Sequence, residues 1–367
     1  MKKSIILIVV TFALFSCSTD EIKTNKIIKV DIEDISDIKL PKISIEFVSP
    51  LETNDSTLFG EVEQIEYFSN RVYLLDIFSS KSLIEFSWDG SYVNRTNFGR
   101  GPKELINPFA FVVDNNNESV LVWDQTLSAM FKYDLDLNYI SKNKYHRAIQ
   151  NFSIINKNEI LVQSRFYRDY IYKLYTNNFD SIIGQYIQDY PYSGVYGLLR
   201  PISTGRRVLL IAPLDYNVYQ LTGHGIHSEY YFDFGKYQLK REECENIDLT
   251  TIWELINSGQ RVSSLYEIAE SENFLLFHVY FNQETIYYAY SFITGKTLRL
   301  NDYFDNGIMP VCDIRGTIEK DIFYALVEPL EMIKFQKRTG QKFSEVEISV
   351  NQNPILLTFS ISSEFLK

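Results

Sequence analysis

A glycine-rich loop is the stretch of this sequence whose residue types best suit chemistry, and it consists of Gly99, Arg100, Gly101, Pro102, Lys103 and Glu104. Backbone N–H groups beside two glycines can form a nest for an anion, and the two basic side chains add positive charge. The loop lacks the Gly-x-x-x-x-Gly-Lys-Ser/Thr spacing of a phosphate-binding loop. Glycine and proline also suit a tight crossover between two sheets, and we favour that interpretation.

A second loop combines aromatic rings with an arginine. Tyr190, Tyr192 and Tyr196 lie close together among Pro, Ser and Gly, and Arg200 follows them. Aromatic faces can stack on sugar rings, and a guanidinium can hold a carboxylate. Packing of the same rings over the rim of the fold is the alternative. If this loop binds a ligand, we expect its neighbours in the fold to be Tyr167, Arg168 and Trp253.

Metal sites have weaker support. His224 and His227 form an HxxH pair, but ligands at this spacing need a helix or a shaped loop and further ligands, and the pattern predicts an exposed hairpin turn. Residues 114–118 and 134–138 are rich in Asp and Asn. Neither stretch has the twelve-residue form of an EF-hand, and both residue types are common in turns. We predict no bound metal and no cofactor.

No set of residues predicts catalysis. The chain has no Gly-x-Ser-x-Gly nucleophile elbow and no evident Ser/His/Asp set. Its 47 acidic residues neither support nor exclude the paired carboxylates of a glycosidase. We therefore predict no catalytic residues, and we keep as the alternative an enzyme that acts on a glycan or a peptide in the centre of the fold.

The composition favours strands. The chain has 367 residues, of which 45% are hydrophobic, so it can bury a large core in one large domain or two modest ones. Its 26 Tyr and 26 Phe suit pleated, half-buried surfaces. The net charge is −11 and basic residues do not cluster, which argues against a nucleic-acid-binding protein.

The N-terminus has the pattern of a bacterial lipoprotein signal peptide, predicted over residues 1–16. Two lysines precede an apolar run that is too short to span a bilayer comfortably. The run ends in Leu14-Phe-Ser-Cys17, which resembles a lipobox. An ordinary secretory signal with a chance cysteine is the alternative. We predict an acylated Cys17, a tether over residues 17–40, and attachment to the bacterial outer membrane facing the periplasm or the cell surface.

Two further cysteines, Cys244 and Cys312, lack CxxC spacing, so a zinc site has no support. A disulfide is permitted outside the cytoplasm, and the sequence leaves open how far apart the two residues lie. We expect two partly buried thiols that are not joined.

One structural unit recurs along the chain. Residues 71–90 form its first copy and residues 119–137 repeat the same pattern, with Asp76 and Asp124 in equivalent places. The two aspartates are 48 positions apart, a spacing within the range of propeller repeats. Weaker copies follow, to give six units of three or four short strands.

A unit of this size cannot bury both of its faces alone, and radial stacking of the units solves this. We therefore predict an all-β fold, a six-bladed β-propeller of four-stranded blades over residues 41–367. Residues 43–47 are predicted to pair with the last blade and close the ring. Residues 242–257 have helical spacing, with Asp248 as a candidate cap, and predict a short helix between blades four and five.

Four patches resemble the six-bladed β-propeller lipoproteins of Bacteroidota, which are related to NHL and TolB-like propellers. The patches are residues 50–53, the loop at 99–104, Asn301-Asp302 and residues 353–357. Two departures lie at the loop: Lys103 stands where the family has Gly, and Leu105 where it has Tyr. The resemblance implies the propeller fold and a surface lipoprotein, not a particular activity.

From these features we predict a non-catalytic propeller that binds a ligand or another protein at the cell envelope, for instance beside a nutrient-uptake system. Its predicted partners are the membrane, through the lipid anchor, and a glycan, a peptide or an envelope protein. Nucleic acid is not among them.

Replacement of Cys17 tests the predicted anchor. We expect Cys17→Ala to be neither acylated nor bound to membranes, because the sulfur of Cys17 is the predicted site of acylation. Fatty-acid labelling and membrane fractionation measure the two properties. A Cys17→Ala protein that stays acylated and membrane-bound would show that the lipobox interpretation is wrong.

Overall fold

The computed structural model describes residues 26–33, 42–145, 149–164, 170–188, 202–204, 207–223, 225–240, 243–244, 247–342 and 347–362. Its strands form six antiparallel sheets of four strands, one of which carries a fifth strand. First strands of successive blades contact each other and lie innermost. The sheets are the blades of a six-bladed β-propeller, so the predicted fold class is confirmed.

Blades 1 to 5 follow each other along the chain. Blade 1 contains β3 (Gln64–Phe68), β4 (Arg71–Asp76), β5 (Ser82–Ser87) and β6 (Tyr92–Arg95). Blade 2 contains β7 (Pro108–Asp114), β8 (Ser119–Asp124), β9 (Ala129–Asp134) and β10 (Tyr139–Lys144). Blade 3 contains β11 (Ile149–Asn156), β12 (Glu159–Ser164), β13 (Tyr170–Thr176) and β14 (Ile182–Gln188). Blade 4 contains β15 (Ile202–Thr204), β16 (Val208–Ile211), β17 (Asn217–Thr222) and β18 (Gly225–Asp233). Blade 5 contains β19 (Ile268–Glu270), β20 (Phe274–Phe281), β21 (Glu284–Ser291) and β22 (Thr297–Arg299).

Blade 6 takes its strands from both ends of the fold. It contains β23 (Asp313–Thr317), β24 (Ile322–Val327), β25 (Ile355–Ile361) and, outermost, β2 (Ile43–Pro50). The antiparallel register between β2 and β25 runs from Ile43 opposite Ile361 to Pro50 opposite Ile355. This pairing confirms the predicted closure of the ring.

Asn353 ties the end of β2 to the start of β25. Its Nδ2 donates hydrogen bonds to the backbone oxygens of Glu52 at 2.8 Å and Thr57 at 3.0 Å. Its backbone N–H donates to Oγ1 of Thr53 at 2.9 Å. Two of the four sequence patches, residues 50–53 and 353–357, therefore meet where the ring closes.

Aromatic side chains fill the spaces between blades. Tyr73 of blade 1 and Phe111, Phe131 and Tyr133 of blade 2 are buried in one core cluster. Each blade presents two apolar faces to its neighbours, and large flat rings cover such pleated surfaces well. The high Tyr and Phe content is thus explained by packing between blades.

The two repeated aspartates end the second strands of blades 1 and 2, and each accepts hydrogen bonds from the segment that leads into its blade. Asp76 accepts hydrogen bonds at 2.8 to 3.0 Å from the backbone N–H groups of Gly60, Phe78, Ser79 and Ser80. Asp124 accepts them from the N–H groups of Ile106, Asn107 and Leu127. Burial alone would raise the pKa of Asp76, but the four N–H groups lower it below its ordinary value. The repeat therefore marks a structural position.

Besides a short 3-10 helix (Gly235–Tyr237), three α-helices that the structure describes over their full length interrupt the strands: α1 (Leu249–Asn257), α2 (Asn301–Asp305) and α3 (Pro329–Thr339). The predicted helix between blades 4 and 5 is α1, and it begins later than the predicted 242–257 segment. Oδ1 of Asp248 accepts a hydrogen bond from the N–H of Thr251 at 2.9 Å and caps the helix.

Sequence analysis does not predict α3, which lies between β24 and β25. Its signals are present in the chain: Pro329 occupies the first turn, and Gly340 follows the last turn in a left-handed conformation with φ of 71°. Met332 and Phe335 are buried and fix the helix to blade 6.

A fifth strand lies at the outer edge of blade 4. This strand, β1 (Lys26–Lys29), pairs in parallel with β18. Ile28 is fully buried in the core between blades 4 and 5. The predicted tether of residues 17–40 therefore contains a strand that packs on the ring, and the boundaries of signal peptide, tether and propeller stay predictions.

The two cysteines of the fold lie in different cores. Cys244 belongs to the core around blades 4 and 5, and Cys312 to the core around blades 5 and 6. No disulfide joins them. Burial raises the pKa of the Cys312 thiol, so this thiol stays protonated.

Removal of the Asn353 side chain tests the junction that closes the ring. We expect Asn353→Ala to lower the free energy of unfolding by about 2 kcal/mol, because backbone oxygens of Glu52 and Thr57 lose their donor. Urea-induced unfolding of the form that begins at Ser18, followed by tryptophan fluorescence, measures the loss.

Asn351→Ala is the matched control, because Asn351 is exposed and lies only two positions away. Its substitution should change the free energy of unfolding by less than about 0.5 kcal/mol. Equal losses in the two variants would contradict the role assigned to Asn353.

Candidate functional site

The two ends of the ring carry different turns. The end named the helix end carries α1 and the turns that join second to third strands, such as residues 281–284 in blade 5. In blade 4 that turn contacts the segment after α1, since the hydroxyl of Tyr216 donates to the backbone oxygen of Val262 at 3.0 Å. The other end, named the hairpin end, carries the turns that join third to fourth strands, such as residues 222–225.

An open cleft of about 480 Å³ lies at the helix end, between α1 and blade 5. Four rings and two polar side chains line it: Trp253, Tyr266, His278, Tyr280, Asn257 and Thr285. We name it the aromatic cleft. A concave site with aromatic walls and a few polar groups is the usual form of a binding site for a small or extended ligand.

The first wall of the aromatic cleft comes from α1. Ile252 and Ile256 are fully buried and hold the helix against blade 5. Trp253 lies between them in sequence and is only partly buried. Its ring centroid lies 6.3 Å from that of Tyr280 on β20, with the planes at 73°. The packing of α1 thus sets the position of the Trp253 ring.

The second wall comes from the segment that follows α1. The N–H of Ser263 donates to the backbone oxygen of Tyr280 at 2.9 Å, and the N–H of Tyr266 donates to that of His278 at 3.2 Å. This pairing lays the Tyr266 ring on His278, with centroids 5.7 Å apart and planes 10° from parallel. Burial raises the pKa of Tyr266 more than Ser263 lowers it, so the phenol is neutral near pH 7.

A charged cluster adjoins the aromatic cleft on the side of the inner strands. Arg315 on β23 forms an ion pair with Asp313 and lies 3.6 Å from Oε1 of Glu267. The hydroxyl of Tyr287 donates to Oδ1 of Asp313 at 3.2 Å, and its ring centroid lies 5.0 Å from that of His278. The rings of Tyr287 and His278 thus connect the cluster to the cleft.

The guanidinium of Arg315 offsets part of the negative charge of this cluster. Burial alone would lower the pKa of Arg315, but Glu267 and Asp313 raise it above its ordinary value. Burial, and then the charge of Asp313, raise the pKa of Glu328. The acids nearest the guanidinium, Asp313 and Glu267, are therefore part of an ion-pair cluster that joins inner strands of blades 5 and 6.

The glycine-rich loop connects β6 to β7, and its own carboxylate occupies the glycine nest. Oε2 of Glu104 accepts a hydrogen bond from the N–H of Gly101 at 2.6 Å. A Cβ added at Gly99 would lie 2.1 Å from the same oxygen. The backbone oxygen of Pro102 accepts a hydrogen bond from Nζ of Lys142 at 2.8 Å. An external anion would have to displace Glu104.

The residues of the aromatic loop lie outside the described part of the chain: Tyr190, Tyr192, Tyr196 and Arg200. The same holds for their expected neighbours Tyr167 and Arg168, and for two candidates from other parts of the sequence, Cys17 and His224. Trp253, which was expected beside the aromatic loop, lines the aromatic cleft. Sequence analysis does not predict its partners Tyr266, His278 and Tyr280. The last two lie on β20, and Tyr266 reaches them because the loop after α1 pairs with that strand.

The residues considered as metal ligands make other contacts in the structure. His227 lies within β18, not in a turn, and its Nε2 is 3.0 Å from Oε2 of Glu229. Asp114 and Asp134 accept hydrogen bonds from N–H groups of their own turns. Among the described residues, no three His, Cys, Asp or Glu side chains are grouped so that they could hold a metal ion.

A buried carboxyl group lies on another part of the ring, between blades 1 and 2. Burial raises the pKa of Glu85 to about 7, although Arg71, whose Nη1 lies 2.6 Å from Oε1 of Glu85, lowers it. Nη1 of Arg71 also donates to the backbone oxygen of Leu135 in blade 2 at 2.9 Å. Glu85 therefore belongs to a contact between blades, not to the aromatic cleft.

Comparison with known proteins gives a family and a fold. The family described as a domain of unknown function, DUF4934, matches residues 26–360. No curated protein matches the sequence.

A crystal structure of a Bacteroides fragilis NCTC 9343 protein whose name describes it as exported is 21% identical. It covers 92% of this chain and 100% of its own, with a TM-score of 0.75. A member of the DUF4221 family from Bacteroides vulgatus ATCC 8482 is 11% identical over 89% of this chain and 99% of its own, with a TM-score of 0.48. At 21% identity, the likeness to the Bacteroides fragilis protein shows the fold alone.

Glu85 makes stability depend on pH. Its pKa of about 7 in the folded chain exceeds the ordinary value of 4.5, so the folded protein retains a proton that the unfolded chain loses between these values. Its stabilising contribution is present below pH 4.5 and is lost as the pH rises through 7. We expect the free energy of unfolding of the wild type to fall, relative to Glu85→Gln, by about 2 kcal/mol between about pH 5 and pH 8.

Urea-induced unfolding across that pH range measures the difference. Glu61→Gln, at an exposed position, is the control and should follow the wild-type curve. Parallel curves for wild type and Glu85→Gln would contradict the assignment.

Proposed function

The chain belongs to the DUF4934 family, and from the geometry of the aromatic cleft we propose that it is a lipid-anchored propeller of the cell envelope that binds a ligand without transforming it. The ligand is a glycan or a peptide, and the protein serves as an accessory to nutrient uptake. We also propose that the chain is related to the NHL and TolB-like propeller lipoproteins that its sequence resembles.

The aromatic cleft is the observation that carries the proposal. Three large rings, Trp253, Tyr266 and Tyr280, present partly accessible faces in a cleft of about 480 Å³. Such faces stack on sugar rings or on flat peptide side chains, and the amide of Asn257 and the hydroxyl of Thr285 supply hydrogen bonds to the same ligand.

Two observations support the cellular location. The segment that ends at Cys17 has the pattern of a lipobox, and the Bacteroides fragilis protein of the same fold is described as exported. Within the described ranges, no helix combines the length and the apolar character that crossing a membrane requires. We propose attachment to the outer membrane through Cys17.

The charged cluster beside the cleft favours binding over catalysis. An enzyme of the glycosidase type needs two carboxyl groups that face the substrate and differ in pKa. Here Asp313 pairs with Arg315, and Glu267 lies 3.6 Å from the same guanidinium. An enzyme that acts on a glycan or a peptide remains the second candidate, and turnover is its distinguishing sign.

A glycan and peptide array, probed with the form that begins at Ser18, identifies the ligand class. We expect binding to one class, and unchanged ligand when the products of a long incubation are separated by mass spectrometry. Release of a shortened product would overturn the non-catalytic assignment.

Trp253→Ala tests the aromatic cleft with the ligand found on the array. We expect the affinity to fall at least about tenfold, because one stacking face worth roughly 1.5 kcal/mol is lost. Isothermal titration calorimetry measures the affinity, and circular dichroism confirms that the fold is retained. Phe78→Ala is the control, since Phe78 is an exposed aromatic residue of blade 1, and it should bind as the wild type does. Unchanged affinity in Trp253→Ala would exclude this cleft as the site.

A further inference from the structure

One wall of the aromatic cleft leads to a carboxylate of blade 6. His278 and Tyr280 lie two positions apart on β20 and therefore share one face of blade 5. In the register with β21, Thr285 is opposite Tyr280. Tyr287 is opposite His278, and its hydroxyl donates to Oδ1 of Asp313 on β23 at 3.2 Å. The face of blade 5 that lines the cleft thus extends to Asp313.

The charged cluster around Asp313 contains more acids than bases. Asp313 and Glu267 share the guanidinium of Arg315. The charge of Glu63 helps to raise the pKa of Arg315, and the charge of Asp313 helps to raise the pKa of Glu328. Even with Glu328 protonated, the carboxylates of this cluster outnumber its one guanidinium, so it keeps an excess of negative charge.

The negative charge of the cluster is more accessible than the positive charge. The side chain of Asp313 is 41% exposed, whereas that of Arg315 is 14% exposed. The side chain of Glu267, directly after Tyr266 of the cleft, is 20% exposed. A charged group that enters beside the cleft therefore meets carboxylate oxygens before it meets the guanidinium.

The cleft itself adds no lysine or arginine to this balance. Among the described residues that line it, neither type occurs. Glu254, Glu267 and Glu284 each follow or precede a lining residue in the chain. The guanidinium of Arg299, on β22 of the same blade, lies 4.0 Å from carboxylate oxygens of Glu284 and Asp302. The surroundings of the cleft favour a positive ligand over a negative one.

The aromatic walls suit the same kind of ligand. The face of an aromatic ring attracts an ammonium or guanidinium group that lies within about 6 Å of its centre. The rings of Trp253 and Tyr280 meet at 73°, so they offer faces in two directions within one cleft. A neutral sugar could stack on these faces, but it would gain nothing from the excess of carboxylates.

We propose that the ligand of the aromatic cleft is a peptide with a basic side chain, whose ammonium or guanidinium group lies between the aromatic rings and Asp313. This inference rests on the proposed function, in which the cleft is the binding site, and it narrows the ligand from a glycan or a peptide to a basic peptide. A lysine or arginine side chain carries its charge at the end of an apolar stem, so the stem packs on the rings while the charge faces the carboxylate.

Matched peptides test the charge requirement on the wild-type protein. The form that begins at Ser18 contains every described strand and is titrated with acetyl-Gly-X-Gly-X-Gly-amide, where X is arginine, citrulline or glutamate. Citrulline has nearly the shape of arginine without its charge. We expect the arginine peptide to bind at least about tenfold more tightly than the citrulline peptide in isothermal titration calorimetry. The glutamate peptide should bind more weakly than either. Equal affinities, or tighter binding of glutamate, would overturn the inference.

Asp313→Asn tests the position of the positive group. The substitution removes the charge and keeps an oxygen that can accept the hydrogen bond of Tyr287. We expect the affinity for the arginine peptide to fall about tenfold and the affinity for the citrulline peptide to stay unchanged. Glu319→Gln is the matched control, since Glu319 is an exposed acid in the turn after β23, and it should keep the wild-type preference. An arginine preference that survives Asp313→Asn in the folded variant would overturn the inference. If this variant does not fold, the comparison of the three peptides on the wild type still decides.

The results also separate this inference from the proposed function. A neutral glycan whose binding is lost in Trp253→Ala would leave the cleft as the binding site and overturn the basic ligand. An arginine peptide whose affinity depends on Asp313 but not on Trp253 would overturn both, because the aromatic cleft would then not be the site. Dependence on both residues supports both.

Discussion

The pairing of β2 with β25 is the constraint on which the rest of the ring depends. Blades bury their faces only against other blades, so an open arc would expose one face at each end. Because β2 comes from one end of the fold and β25 from the other, their ladder converts the arc into a ring. The hydrogen bonds of Asn353 to Glu52 and Thr57 hold the corner where this ladder meets blade 1. Closure therefore combines a long ladder with one buried side chain at its end.

In three places an arginine side chain joins neighbouring blades. Arg71 joins blades 1 and 2, and Arg207 beside β16 joins blade 4 to Glu270 of blade 5 with Nη2 and Oε1 2.7 Å apart. Arg315 joins blade 6 to Glu267 beside blade 5 and, through the backbone oxygen of Val62, to blade 1. A guanidinium suits this task because its fork of donors reaches several acceptors at once. The aromatic cleft has two sources: α1, which lies between blades 4 and 5, and blade 5 with the segment that precedes it. The proposed binding surface thus combines an inserted helix with a blade of the ring.

Sequence reasoning recovered the features that local pattern determines. The equivalent positions of Asp76 and Asp124 gave the blade length, and the cap at Asp248 gave α1, because turns and caps depend on neighbouring residues. It missed α3, since a helix that buries little beyond Met332 and Phe335 has a weak apolar period. It also missed β1, whose four residues pair with a strand about two hundred positions away. The cleft itself was not predicted, and Trp253 was named only as a neighbour of the aromatic loop. Its other rings come from one loop, at Tyr266, and one strand, β20, and the sequence pattern did not indicate that the two pair.

Ring closure also has a consequence for the order in which the molecule forms. Ile43 and Ile361 are opposite each other in the ladder, although almost the whole chain separates them. Contacts of such long sequence separation carry a large loop-closure entropy and are characteristic of slowly folding β proteins. Blade 6 lacks an inner-lying strand until residues 355–361 are in place between β2 and β24, so the ring cannot close before they join it. Topology alone therefore places ring closure after the point at which the local hairpins of blades 1 to 5 are able to form.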